Sequence, residues 1–467
     1  MIQQRHAARH PTGRGRAVLL FLSNKCCIQQ QFESRLESPA MLAVRSKRKP
    51  SNVPLLLFIT ICLTLLIAGR VNAATEDWPQ WRGPRGDGSS IETHIPTHWS
   101  DHDNIAWKTP IPGVGHSSPI VVGDRIFLTT AIESSHQRLL ICLSRLDGHI
   151  LWQRQVMTAP LEQKNSLNSY ASATPCSDGH RVWVSFFEQP RIEVVCYDLN
   201  GSEIWRVSPG TFSSIHGFCS SPILYHGMLI LNCDQDAPAS IVALDQNTGQ
   251  ERYRTDRPKR TRSYCTPTIF NVDGQMQMVL SGSKSVASYD PDTGKQLWLI
   301  DGPTEQYVAS IVMTDGIMFM TGGFPEHHLM GIDPTGRGNI THSSKIVWHN
   351  KKDHRAVSYV PSPVAAGHWF FLVSDDGLGT CWEARTGKQM WKQPLSDHQS
   401  ASGVVADGNV YFTSDAGETT VFRASPKFEL VAKNPLNEQV RASPAISHGQ
   451  IFIRTWSNLY CIGRSSN

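Results

Sequence analysis

Apolar residues in this chain fall in short alternating runs bounded by turn residues, not in helical periods. Arg125-Ile126-Phe127-Leu128 and Asn409-Val410-Tyr411-Phe412-Thr413 each follow a Gly/Asp turn and put every second side chain on one face, which predicts half-buried strands. Ahead of such runs stands Ser/Thr-Pro with a short apolar stretch: Ser118-Pro119-Ile120-Val121, Thr174-Pro175, Ser221-Pro222-Ile223-Leu224, Thr266-Pro267-Thr268-Ile269, Ser362-Pro363-Val364 and Ser443-Pro444-Ala445-Ile446. Two degenerate copies, Ser310-Ile311 and Ser402-Gly403, fill the gaps. Successive copies start 40 to 56 residues apart, the length of a four-stranded propeller blade.

Each unit continues through a polar hairpin turn into a third strand and closes on an aromatic residue four places after a glycine. The pairs are Gly148 and Trp152, Gly201 and Trp205, Gly249 and Tyr253, Gly294 and Trp298, and Gly387 and Trp391. Glycine supplies the positive φ of the turn, and the ring packs between neighbouring blades. Blade five keeps the plan with a longer turn, Gly336 to Trp348. The last unit ends at Tyr460-Cys461-Ile462-Gly463 without its closing strand, whereas Ile105-Ala106-Trp107-Lys108-Thr109-Pro110 has that character ahead of the first unit. Pairing the two removes an open sheet edge. The expectation is an all-β, eight-bladed β-propeller of four-stranded antiparallel blades over residues 104–463, its ring closed by an N-terminal strand that completes the last blade.

Upstream, Arg45-Ser46-Lys47-Arg48-Lys49, the apolar run Val53–Ala68 and Val71-Asn72-Ala73 read as the charged region, apolar region and cleavage site of an export signal. The apolar run falls short of the roughly 20 residues that span a bilayer, so cleavage after Ala73 is expected, giving a periplasmic or extracellular protein. Membrane contact arises only if the segment is retained. Met41 directly precedes the signal, so residues 1–40 read as an upstream extension, 41–73 as the signal peptide and 74–103 as an N-terminal extension.

The formal charge of +4 changes meaning with this division. Residues 1–73 carry eleven of the 44 Lys and Arg but two of the 40 Asp and Glu, leaving 33 basic against 38 acidic residues and a net charge of −5. A nucleic-acid partner, which needs clustered cations, loses its compositional support. With 40% hydrophobic and 18% charged residues, disorder is excluded as well.

The Asp-x-x-Thr-Gly-Lys-x-x-Trp pattern at Asp290–Trp298, partly repeated at Glu383–Trp391, resembles the repeat of the pyrroloquinoline-quinone (PQQ) type propellers. That superfamily includes quinoprotein alcohol dehydrogenases and the propeller lipoprotein of the bacterial outer-membrane barrel-assembly machine. Asp77-Trp78-Pro79-Gln80-Trp81-Arg82-Gly83-Pro84 further resembles exported PQQ-like proteins of planctomycete-type bacteria. The resemblance covers residues 77–463 and implies a fold, since propellers host unrelated functions. The dehydrogenases of the family carry an adjacent cysteine pair against the cofactor; here the adjacent pair is Cys26-Cys27, upstream of the signal, and no haem-attachment Cys-x-x-Cys-His occurs. No calcium or catalytic motif carries over residue by residue.

Eight cysteines of the body invite a disulfide reading in an exported protein. Register answers for most of them. Cys142, Cys196, Cys381 and Cys461 occupy the third-strand position that holds Ala243, Ser288 and Gly331 elsewhere, so they read as small core residues. Cys265 stands where other copies have Ser or Ala before Ser/Thr-Pro, and Cys219 opens the neighbouring blade, close enough for a bridge to be weighed; Cys176 and Cys233 have no inferred role. His94, His98 and His102 recur every fourth residue, but Pro96 breaks any helix that would turn them to one metal. Asp234-Gln235-Asp236, Asp375-Asp376-Gly377 and His327-His328 fall where hairpin turns are needed, and turn chemistry explains them without an ion.

Residues two to four places before Ser/Thr-Pro converge on one rim of the channel, because each innermost strand begins there. They are His116, Asn168 and Tyr170, His216 and Phe218, Arg262 and Tyr264, Gln306 and Tyr307, Tyr359, His398, and Gln439 and Arg441. This set of rings, amides and cations, without a carboxylate, suits a planar or anionic ligand; a polar, wetted channel mouth accounts for it equally. The expectation is a non-catalytic, exported scaffold that binds a protein or small molecule in the cell envelope. The alternative is an alcohol or sugar dehydrogenase-like quinoprotein oxidoreductase using PQQ and calcium at the channel mouth.

Overall fold

Each Ser/Thr-Pro unit folds into one antiparallel sheet, and eight such sheets follow one another along the chain. The computed structural model describes residues 75–464 except Pro258 and Lys352. The export signal and the extension before it lie outside these residues. Blade 1 spans Ile120–Thr158, blade 2 Cys176–Thr211, blade 3 Ile223–Arg257, blade 4 Thr268–Asp301, blade 5 Val312–Asn350, blade 6 Val364–Pro394, blade 7 Val404–Pro435 and blade 8 Ala445–Ile462. Helix is confined to two three-residue 3-10 turns among the described residues. The strand Ile105–Pro110 pairs antiparallel with Asn458–Ile462 as the outermost strand of blade 8, with Trp107 opposite Cys461. The long turn of blade 5 does more than lengthen a hairpin: Gly338–Asn339 leaves to pair in parallel with Trp298–Leu299 as a fifth strand on blade 4.

The repeat residues share one packing rule. A small third-strand residue lies between an apolar residue on the second strand and the closing aromatic on the fourth, as in Phe127, Cys142 and Trp152, or Trp183, Cys196 and Trp205. Only a small side chain leaves room there for the indole, which explains Cys142, Cys196, Cys381 and Cys461, all fully buried. The closing aromatic then crosses to the following blade. Trp152 Nε1 donates to Leu199 O at 3.1 Å, Trp205 Nε1 to Gln246 O at 3.1 Å, and the Tyr253 hydroxyl to Pro291 O at 2.9 Å. The glycine of that next blade lies flat against the ring. Gly249 has φ +73°, and a Cβ there would stand 2.8 Å from Trp205 Cε3.

The Ser/Thr-Pro hydroxyls form a belt around the channel. Ser118 donates its backbone N–H to Thr174 Oγ1, Thr174 to Ser221 Oγ, Ser221 to Thr266 Oγ1, Ser310 to Ser362 Oγ, Ser362 to Ser402 Oγ, and Ser402 to Ser443 Oγ, over 2.9–3.2 Å. Between blades 4 and 5 the link reverses, Ser310 Oγ donating to Thr266 O at 2.7 Å. The motif therefore satisfies buried backbone donors that no sheet ladder reaches.

Residues 76–92 cross the far end of the channel. Trp78 pairs with Val121 of blade 1, Ser177 of blade 2 donates to Pro79 O at 2.8 Å, and Leu224 of blade 3 donates to Gln80 Oε1 at 3.4 Å. Arg82 donates to Pro363 O of blade 6, Ser90 to Val405 O of blade 7 at 2.8 Å, and Glu92 accepts from His448 and Gly449 of blade 8. Trp78 is fully buried. The Trp78–Pro84 segment is thus the floor of the channel.

The cysteines of the described residues are all free, so Cys219 and Cys265 are not bridged. His94, His98 and His102 lie on irregular, exposed chain, not on a helix. His328 departs from the turn expected of it: it is buried and opens the strand His328–Ile332, with Nδ1 2.9 Å from His349 Nε2. In the ladder His328 stands opposite Gly322, while His349 lies opposite Met330 on the other side.

Candidate functional site

The first strand of each blade leaves the open mouth of the channel, and antiparallel pairing brings the hairpin between strands two and three back to it. Two sets of residues therefore meet there. His116, His216, Arg262, Tyr264, Gln306, Tyr359 and Arg441 line one cavity of about 530 Å3, together with Asn168. Five others of the set point elsewhere. Tyr170 packs against blade 1 with the Arg138 guanidinium 5.2 Å and the Lys164 ammonium 4.9 Å from its ring. Tyr307 is fully buried in the core and its hydroxyl donates to Gly302 O at 3.1 Å. His398 is exposed on the outer rim and pairs with Asp415. Phe218 belongs to the core with Phe212, and Gln439 is exposed outside the cavity. These segments are turns, so the i, i+2 rule that fixes facing in a strand does not operate.

The rim is not free of carboxylates, as expected from the first-strand residues alone. Asp236 accepts from Arg262 Nη1 at 2.9 Å on both oxygens and from the Arg262 N–H at 3.2 Å. Asp415 pairs with Arg441 and His398 and accepts from Ser400 Oγ at 3.1 Å. Asp375 accepts the N–H groups of Tyr359 and Val360 at 2.7 and 3.1 Å. All three come from the hairpins between strands two and three. For Asp375 and Asp415 the sequence signal was the repeated Ser-Asp-x-Gly, Ser374-Asp375-Asp376-Gly377 and Ser414-Asp415-Ala416-Gly417; Asp236 lacks it.

The electrostatics of the mouth favour uncharged rings and fixed cations. Burial, with Arg454 and Arg441 nearby, lowers the His116 imidazole to about 3, and burial beside Arg262 lowers His216. Burial raises Tyr359 to about 12, and also raises Tyr264, whose hydroxyl lies 3.0 Å from Ser214 Oγ. His116 Nε2 and Arg262 Nε are buried without a hydrogen-bond partner among the described residues. Around them stand exposed apolar side chains: Leu167, Ile215 and Phe324 on the cavity wall, and Trp456, 47% exposed, 5.8 Å from the His116 ring. Trp81 closes the narrower space below.

A PQQ–calcium centre does not fit this donor set. Calcium takes six to eight oxygen ligands, whereas the three mouth carboxylates already hold arginine, histidine or backbone donors. Among the described residues no group of three or more His, Cys, Asp or Glu is arranged to hold a metal.

Eight antiparallel blades, five of them closed by an aromatic that lies on the next blade's glycine, define a propeller of the PQQ-like class. The chain belongs to that family: the sequence profile described as outer membrane protein assembly factor BamB matches residues 162–311 and 336–426. BamB from Moraxella catarrhalis superposes with a TM-score of 0.52 at 11% identity, over 77% of this chain and 97% of that one. Quinohemoprotein alcohol dehydrogenase from Comamonas testosteroni gives 0.62 at 12% identity, over 85% and 82%. A europium-containing methanol dehydrogenase gives 0.58 at 10% identity, over 82% and 90%. At these identities the likeness is one of fold. No curated protein sequence matches the chain significantly.

Proposed function

We propose that this protein is an exported, non-catalytic binding propeller of the cell envelope, whose open mouth receives a protein segment bearing a carboxylate beside apolar side chains. One observation carries the reading: Leu167, Ile215 and Phe324, with Trp456 beside His116, border a cavity lined by Arg262, Arg441 and the unpartnered His116 Nε2. Apolar contact supplies area, and the half-buried guanidiniums supply selectivity for an anionic group. The family description, an outer-membrane assembly factor, supports a protein partner and a periplasmic location. The export signal read over 41–73 supports the same compartment. No helix of the described residues is long and apolar enough to cross a membrane; Val53–Ala68 lies outside them.

Structural likeness to alcohol and methanol dehydrogenases keeps the quinoprotein reading as the competitor. The test offers the purified protein two ligands. A fluorescent peptide ending in Phe with a free carboxylate should bind at least tenfold more tightly than its amide, a difference of about 1.4 kcal/mol, and Arg441→Met should erase the preference. PQQ with Ca²⁺ should give neither a thermal shift nor alcohol- or sugar-dependent dye reduction. PQQ binding with turnover, or equal affinity for acid and amide, defeats the proposal.

A further inference from the structure

Below the mouth the channel narrows at the belt, and there the hydrogen-bond accounting leaves donors over. Ser118, Thr174, Ser221, Thr266, Ser402 and Ser443 line a cavity of about 110 Å3 between Trp81 on one side and His116 and Arg441 on the other. Each of these six hydroxyl oxygens accepts a backbone N–H from the adjoining blade. Each keeps its own hydrogen to donate, and none has a protein acceptor among the described residues. With the oxygen turned towards the neighbouring blade, the O–H is left to face the axis.

Two fully buried guanidiniums flank the belt without an ion pair. Arg82 and Arg454 are 1% and 2% exposed, and neither meets a carboxylate. Arg82 follows the floor residue Trp81, and its Nη2 donates to Asp87 O and to Pro363 O, next to the belt residue Ser362. Its Nε and Nη1 have no partner among the described residues. Arg454 Nη1 donates to Ser117 Oγ at 2.8 Å, beside the belt residue Ser118, and to Thr129 O at 2.6 Å, while its Nε has no partner. The cavity wall itself contains no Asp or Glu. Asp87, the acid nearest Arg82, accepts from the Ser89 N–H and hydroxyl and makes no ion pair with it; Asp415, Asp236 and Asp234 already pair with Arg441, Arg262 and Arg257. Leaving a buried cation uncompensated is strongly destabilising.

We propose that this neck binds one small inorganic anion of the halide class on the propeller axis, held by the inward hydroxyls and balancing the buried guanidinium charges. At ~30 Å3 per water, the space takes an ion with a few waters and no organic ligand. The neck opens into the mouth and shares His116 and Arg441 with it, but the anion site does not depend on a peptide binding there. Chloride, the available halide outside cells, is its occupant, and it ties the belt and the floor together through one counter-charge.

Crystals of the protein grown in bromide and measured at the bromine absorption edge test this directly. An anomalous peak should stand among the six hydroxyls. In solution, chloride should raise the melting temperature by about 1–2 °C over gluconate at equal ionic strength. Ser221→Ala, which removes one hydroxyl and leaves both arginines, should cut the chloride dependence several-fold; Arg82→Met should abolish it. Ordered water alone in the neck with no chloride-specific shift overturns the proposal, and a response to sulfate but not to halides overturns the class of ion.

Discussion

Ser443 donates its backbone N–H to Ser118 Oγ at 3.0 Å, across 325 residues of chain, so the last blade is tied to the first by the same bond that joins most of the others. Ser118→Ala removes that acceptor and leaves a buried N–H unsatisfied. The urea midpoint should fall by the equivalent of about 1–3 kcal/mol. Ser118→Thr should be close to neutral, because Thr174 and Thr266 fill the same position in blades 2 and 4.

Gly249 combines a left-handed backbone with a ring against its face. Its φ is +73°, and an added Cβ would meet Trp205 at 2.8 Å, whereas Gly227 has φ +78° with open space around it. Gly227→Ala therefore measures backbone strain alone, about 1 kcal/mol. Gly249→Ala should cost more than this, since strain and the displaced indole act together. Unfolding followed by tryptophan fluorescence reads both, and equal losses would remove the packing rule.

His349 sets an acid limit on stability. Burial, with His328 beside it, lowers the imidazole to about 4 from an ordinary value of 6.5. The unfolded chain then binds a proton that the folded protein refuses, so this contribution is complete above pH 6.5 and is lost as the pH falls towards 4. The melting temperature should drop through that window. His349→Gln should flatten the drop, because the amide keeps a partner for His328 without titrating.

The eight cysteines of the described residues should behave as buried thiols. Burial pushes Cys142, Cys196, Cys219, Cys233 and Cys381 up to about 12, and no bridge joins any pair of the described residues. Alkylation should be slow in the folded protein and reach all eight in denaturant without reductant, as intact mass will show. A pair released only by reductant would contradict the structure.

How far the site could be read in advance depended on which part of a blade it came from. His116, His216, Arg262, Tyr264, Gln306, Tyr359 and Arg441 were found because they hold a fixed place ahead of Ser/Thr-Pro, and the innermost strand carries that place to the mouth. Tyr170 and Tyr307 share the register but lie on turns, where neighbouring side chains need not alternate. Asp236 and Asp375 read as turn residues and Asp415 was not singled out, yet their hairpins return to the same rim, where Asp236 and Asp415 pair with its arginines and Asp375 holds backbone N–H groups.

The sequence alone determined the blade number, the belt and the cysteine positions, because each is a local pattern repeated at a fixed period. Small residues opposite closing aromatics and glycines before them are statements about neighbours a few residues or one blade away. The tertiary structure decided the rest. Residues 76–92, with Trp78, Trp81 and Arg82 among them, reach the channel floor through bonds to six blades spread over more than 300 residues, and no period records such contacts. The unpartnered donors of Arg82, Arg454 and His116 likewise exist only after folding, since a polar group becomes unsatisfied when packing takes its water away and nothing replaces it.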